Sequence, residues 1–313
     1  MISLSIEGIG IVAADMDRDS LCRAALEGQP LTPSETKAET SELDKIFPPR
    51  KLRRVDHFTR MSMLAACRAL RDSVPETDEE TLPKLPDNTA IIISSGYGPA
   101  QTVFEFLDSM IDFGPGCASP LSFSHSVHNI PAATLAMFLG GNCPYTTICQ
   151  PRAPLAAGLM TAACWLAEGR AERVLLGTVD ESTPLLEDNT RRILAEKGMS
   201  ADHLPVIDSA GFFLLSAAQG CTTDYGCIGT QTITVEELAR QDYSGPFFVP
   251  ARTLPEMVKC GLQAASAVKA DQPTAAGLEL AAASFYARAH GAACCLEKNG
   301  KNFGLIRIRK NGE

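Results

Sequence analysis

The sequence holds a single Trp, only five His and no Cys-x-x-Cys pair. No apolar run approaches the ~18 residues that a membrane-spanning helix needs. Without paired cysteines the common zinc and dithiol motifs are excluded, and no metal or other cofactor is expected. Its eleven Cys are odd in number, and several sit in apolar stretches: Cys67 in LAACRAL, Cys164 in TAACWLA, Cys294 and Cys295 in AACCLE. They read as small core hydrophobes in a reducing cytoplasm, not as a disulfide framework. The opening MISLSIEGIGIVAAD has neither a basic n-region nor a small-residue cleavage site, so no secretion signal is expected. Walker loops, dinucleotide glycine fingerprints and Ser-His-Asp arrangements are missing as well. Gly8 and Gly10 form only a lone strand-end pair. Basic residues number 28 against 37 acidic ones, a net charge of −9, which argues against a nucleic-acid partner.

What is present suits a globular α/β chain. With 313 residues and 45% hydrophobic content it can bury a full core. Strand-like and helix-like segments alternate throughout. Residues 3–13 predict a strand, and 18–28 a helix with Asp17 or Asp19 near its cap. The polar, Pro-rich stretch 30–50 predicts a surface loop. Apolar residues at Phe58, Met61, Leu64, Ala65 and Ala69 predict a helix over 57–70. The run TAIIIS at 89–94 suits a fully buried strand. Helices at 99–111, 130–139, 155–168 and 184–197 then alternate with strands at 144–149, 173–179 and 209–218. Beyond them, 246–250 is strand-like and 254–268 helical. Residues 275–289 form an Ala-rich helix, and 292–296 with 303–309 a hairpin across Lys298-Asn299-Gly300. The second part looks like a shortened echo of the first, giving a division into 1–220 and 221–313 within a single compact unit. One basic run breaks the acidic background: Arg50, Lys51, Arg53 and Arg54.

Several segments, in order, resemble β-ketoacyl synthases. RRVDHFTRMSMLAACRAL at 53–70 is similar to an early helix of that family, and SSGYG at 94–98 to its Gly-rich turn. ASPLSFSHSVHNIPAATLAMFLGG at 118–141 resembles the segment before the active-site strand. CPYTTICQPRAPLAAGLMTAACWLAEGRAERVLLGTVDE at 143–181 resembles the nucleophile strand, its elbow and helix, and the strand that follows. The resemblance implies a thiolase-like layered α-β-α-β-α fold with pseudo-duplicated halves, the second abbreviated.

A condensing enzyme needs a thiolate at a helix N-terminus. It also needs two groups, usually histidines, to promote decarboxylation and hold the enolate. Counting back from Glu168-Gly169, the family's nucleophile falls on Arg152, which cannot form a thioester. Cys149, three residues upstream, is the fallback nucleophile or else a buried strand thiol. The first histidine position falls on Arg252 and the second on Asp271. His125 and His128 lie in the segment that lines the family's pocket, where a structural role in a turn is the plainer reading. Tyr97 matches a position lining the acyl tunnel, Phe123 belongs to the same tunnel and interface region, and Phe303 resembles the gating Phe of a C-terminal loop. Ordinary core packing is the alternative for Tyr97 and Phe303.

The resemblance therefore implies a non-catalytic, chain-length-factor-type subunit. It would pair with an active ketosynthase, or with itself, in type II fatty-acid, polyketide or aryl-polyene synthesis, and shape the acyl tunnel. Arg50, Lys51, Arg53 and Arg54 would dock an acidic acyl carrier protein. The rival readings are an acyl-thioester transferase using Cys149, and a homodimeric pseudo-enzyme that binds acyl chains or carrier protein.

Overall fold

The computed structural model describes residues 3–74, 82–196, 204–218, 223–240 and 243–310. The expected division at 220/221 lies outside them. Strand β1 (Ser3–Ala13) leads into α1 (Arg18–Glu27), whose N-cap Asp17 accepts from the Ser20 backbone in a capping box. Two short helices, α2 (Leu43–Ile46) and α3 (Pro49–Leu52), interrupt the stretch expected as loop, before α4 (His57–Asp72). Next come β2 (Thr89–Ser95), α5 (Ala100–Phe113), α6 (Pro120–Ser126), α7 (Ile130–Phe138), β3 (Tyr145–Cys149), α8 (Pro154–Ala167), β4 (Arg173–Asp180), α9 (Pro184–Glu196) and β5 (Ser209–Ala217). The second part contains β6 (Cys227–Thr234), α10 (Val235–Leu238), β7 (Phe247–Phe248), α11 (Leu254–Lys259), β8 (Ala264–Ala265), α12 (Ala275–His290), β9 (Ala292–Asn299) and β10 (Asn302–Arg309).

The ten strands run in the order β3-β2-β4-β5-β1-β6-β10-β9-β7-β8. Each half supplies five, and from its outer edge inward each half uses its third, second, fourth, fifth and first strand. The pairing senses match too. The outer pairs β3·β2, β2·β4, β8·β7 and β7·β9 are parallel, and the inner pairs β4·β5, β5·β1, β9·β10 and β10·β6 are antiparallel. The two first strands, β1 and β6, join the halves through Ser3–Ser5 and Cys227–Gly229. This repeated order is the pseudo-duplication expected from the sequence. The abbreviation is equally visible, since β7 and β8 have two residues each where β2 and β3 have seven and five.

Burial explains the layering. Helices α4 and α7 cover one face of the first five strands, with Phe58, Met61, Leu64 and Leu135 against Ile91, Ile93, Val179 and Phe212. Gly8 and Gly10 sit mid-strand in β1, not at a strand end, and make this contact possible. A Cβ on Gly10 would lie 2.0 Å from the Ala65 carbonyl oxygen of α4. Helices α8 and α12 form the middle layer, each touching strands of both halves, and the largest core cluster gathers around them. A smaller cluster under α10 and α11 closes the outer face of the second half.

Departures from expectation concentrate in that second half. Strand β6 and helix α10 were not expected. The 254–268 helix stops at Lys259, because Gly261 takes a left-handed conformation (φ +75°) and the chain re-enters the sheet as β8. The hairpin turn falls on Gly300-Lys301, slightly later than expected.

Candidate functional site

Strands β3, β2 and β4 are parallel, so their C-terminal ends lie together. There the chain leaves β2 into the Gly96-Tyr97 turn, leaves β3 into the elbow before α8, and leaves β4 at Asp180. Asp180 is fully buried and organises the cluster. It accepts hydrogen bonds from Ser95 Oγ (2.8 Å), Gly96 N (3.0 Å) and Tyr97 N (3.0 Å). From the other half it accepts from Thr274 N (3.2 Å) and Thr274 Oγ1 (2.9 Å), at the start of α12. Burial pushes its carboxyl above the ordinary carboxylate range, against the pull of these donors.

The elbow, Gln150 to Pro154, is a tight turn that holds no Cys, Ser or Thr. Ala153 is buried and left-handed (φ 51°, ψ 46°), a conformation that costs a residue with a Cβ roughly 1–2 kcal/mol. Pro151 and Pro154 bracket it. Gln150 Nε2 donates to the carbonyls of Arg152 (2.8 Å) and Ala153 (2.9 Å) and fixes the turn. Arg152 itself is exposed.

Cys149 is an exposed residue at the end of the edge strand, its part-buried thiol donating to the Gly96 carbonyl oxygen at 3.8 Å. Burial and then the Asp180 charge push its pKa up, the opposite of what an activated thiolate requires. Cys164 also departs from expectation, since it is exposed on α8.

Arg252 and Asp271, the positions matched to the family's two histidines, face each other with Arg252 Nη1 3.6 Å from Asp271 Oδ1. Asp271 Oδ1 is shielded from solvent and accepts no hydrogen bond. Tyr97 joins the cluster. Burial raises its pKa first, Asp180 and Asp271 add to that, and Arg252 opposes it. Glu297 of β9 closes the cluster from the second half. Its carboxylate accepts from Leu155 N (3.3 Å) and Ala156 N (2.7 Å) at the start of α8, and burial raises its pKa to about 7. Cys149, Tyr97, Arg252 and Asp271 are thus brought together, around Asp180 and Glu297, which sequence reasoning did not single out. Their one signal is an acidic residue directly after an apolar strand run.

The remaining expected residues lie elsewhere. His128 packs its ring against Gly98, where a Cβ would fall 2.2 Å from the imidazole. His125 Nδ1 is 3.2 Å from Asp56 Oδ2 at the head of α4. Phe123 on α6 is exposed and touches Phe106, with ring centroids 5.3 Å apart. Phe303 follows the packing alternative: it lies inside β10, fully buried in the core of the second half. In the basic run, Arg50 and Lys51 lie on α3. Arg53 and Arg54 line a groove of about 220 Å³ with Asp56, Leu121 and His125. No described helix is long and apolar enough to cross a membrane.

Residues 27–190 match the family model described as Beta-ketoacyl synthase, N-terminal domain. No curated protein matches the sequence. Among solved structures, one is a type II PKS acyl-carrier protein in complex with its ketosynthase bound to the hexaketide. It aligns at TM-score 0.72 and 13% identity over 99% of both chains. The ishigamide ketosynthase/chain length factor aligns at 0.72 and 15% identity, covering 99% of this chain and 100% of that one. A ketosynthase in complex with its chain length factor, from Xenorhabdus doucetiae, aligns at 0.63 and 14% identity, covering 98% of this chain and 99% of that one.

Proposed function

Because the chain belongs to the β-ketoacyl synthase family, we propose that it is a non-catalytic, chain-length-factor-type subunit that pairs with an active ketosynthase and shapes the acyl tunnel between them. The observation that carries this reading is a tight elbow without a thiol, beside a sheet edge left open. Gln150 N donates to Ser95, and Ile91 N to the Pro144 carbonyl. Even-numbered positions of β3 therefore bond to β2, and the N–H and C=O groups of Tyr145, Thr147 and Cys149 face outward. Such an edge is a template for another chain. Exposed apolar side chains lie on the strand and on the two helices that pack against it: Tyr145, Met137 on α7 and Met160 on α8.

The solved structures of similar fold include ketosynthases with chain length factors and with an acyl-carrier protein, and in this proposal the chain works in the same setting, in the cytoplasm. Arg50, Lys51, Arg53 and Arg54 would meet an acidic carrier protein, through charge complementarity against an otherwise acidic surface. The Cys149 transferase finds no support in the thiol's raised pKa.

Co-expression with an active ketosynthase, followed by affinity capture and light scattering, tests the reading. A one-to-one complex with restored polyketide or fatty-acid elongation is the expected result. A stable self-dimer that ignores ketosynthases and binds carrier protein alone would replace it with the pseudo-enzyme reading. Mass-detected acylation of Cys149 would replace it with the transferase.

A further inference from the structure

A groove of about 640 Å³ lies between α2, α3 and the end of α7. Its walls are apolar: Ile46, Phe47, Pro48, Leu82, Met137 and Phe138. Phe47 and Phe138 meet edge to face there, with ring centroids 5.2 Å apart. Met137 is 71% exposed and Leu82 41%, so apolar surface faces solvent along the groove. Lys51 is the one charged residue among the described ones that line it. Among the described residues the lysine ion pairs are those of Lys37 and Lys298, and the ammonium of Lys51 stands without one.

Such a lining suits a ligand that is apolar along its length and anionic at one end. The volume falls in the range of ~300–1,000 Å³ that small-molecule sites occupy. A stable protein interface engages roughly 20–30 residues a side, and seven line this groove. A cation with no carboxylate beside it favours an anionic head group and disfavours a cationic one. We propose that this groove is a binding site for one free fatty acid, with its chain along Phe47, Met137 and Phe138 and its carboxylate at Lys51. None of the lining residues belongs to the cluster around Asp180. The inference goes beyond the pairing reading, because the site is complete within one chain.

Isothermal titration of the full chain with sodium dodecanoate, kept below micelle formation, tests this. One-to-one saturation is expected. Decanoate should bind on the order of tenfold more weakly, since each buried methylene is worth about a factor of four. Lys51→Glu should weaken dodecanoate about fivefold or more and remove its advantage over dodecyltrimethylammonium. Met137→Asp, at an exposed position, should weaken both amphiphiles. Ile111→Asp, on α5 and 77% exposed, should change neither, and Arg53→Glu with Arg54→Glu should leave dodecanoate binding intact. Absence of saturable binding, equal affinity for the two head groups, or equal losses in Met137→Asp and Ile111→Asp would overturn the proposal. Flotation with vesicles of phosphatidylglycerol and phosphatidylcholine distinguishes a lipid surface. Recruitment that Lys51→Glu abolishes, without saturation by dodecanoate, would overturn it too. Failure to capture a ketosynthase would sink the pairing reading and leave this site untouched.

Discussion

Asp180 and Glu297 occupy corresponding strands in the two halves, near the ends of β4 and β9, and each reaches across to the start of the other half's central helix. Asp180 holds Thr274 at the head of α12, and Glu297 holds Leu155 and Ala156 at the head of α8. The pseudo-duplication thus extends from strand order to chemistry: the halves are fastened by reciprocal carboxylate contacts.

Removing the first contact should be severe. Asp180→Ala strands several buried donors, each worth about 1–3 kcal/mol when left unsatisfied. A loss of about 3 kcal/mol or more is expected in urea unfolding, with Asp180→Asn milder. A loss below about 1 kcal/mol for the alanine variant would mean that water replaces the carboxylate and the fastening is illusory.

Stability should fall as pH rises through neutrality. Burial raises Glu181 and Glu297 to about 7 and Glu279 to about 8, each from an ordinary value of 4.5. The folded chain therefore binds these protons more tightly than the unfolded one. Their contribution is fully present below the unfolded value and is lost as pH climbs through 7 and 8. Urea unfolding should show greater stability near pH 6 than near pH 8.5, with a difference on the order of a few kcal/mol. Glu279→Gln should flatten the upper part of this curve, and an unchanged slope in that variant would count against the assignment.

The elbow should resist simple repair. Arg152→Cys places a thiol outside a helix terminus already occupied by Glu297, so incubation with an acyl-carrier thioester should give no acyl adduct by mass spectrometry. Cys149 should alkylate slowly at neutral pH, its rate still rising above pH 9, given a raised pKa relative to the ordinary 9.0. Fast alkylation of Cys149 near pH 7 would contradict the environment described for it.

Pairing through β3 can be tested without disturbing the core. Thr147→Pro removes an outward N–H while sparing the ladder to β2. It should abolish capture of a ketosynthase with little change in Tm. Arg53→Glu with Arg54→Glu should instead weaken carrier-protein binding and leave capture intact, the effect shrinking with added salt.

Much of the first half was legible because its patterns are strong. The 3.6-residue spacing in α4 and the uninterrupted TAIIIS of β2 leave little choice of element. Strand β6 escaped because CIGTQTIT alternates through Thr and Gln instead of aliphatics, and β8 because a glycine ends its helix early. At the site, counting could place Arg152 in the turn ahead of α8, whereas the Arg252–Asp271 contact could not be read, since it depends on how two turns of the second half meet. Asp180 and Glu297 were invisible for a different reason. A charge ending a strand normally meets solvent, and only the packing of the opposite half buries these two.

The sheet has two free margins of very different character. On one side β3 offers five residues, and on the other β8 has only two, on the far side of the abbreviated half. A chain with two good margins could add neighbours at both ends and grow into a filament. With one margin trimmed to two residues, the shortening of the second half leaves β3 as the edge better suited to extending the sheet.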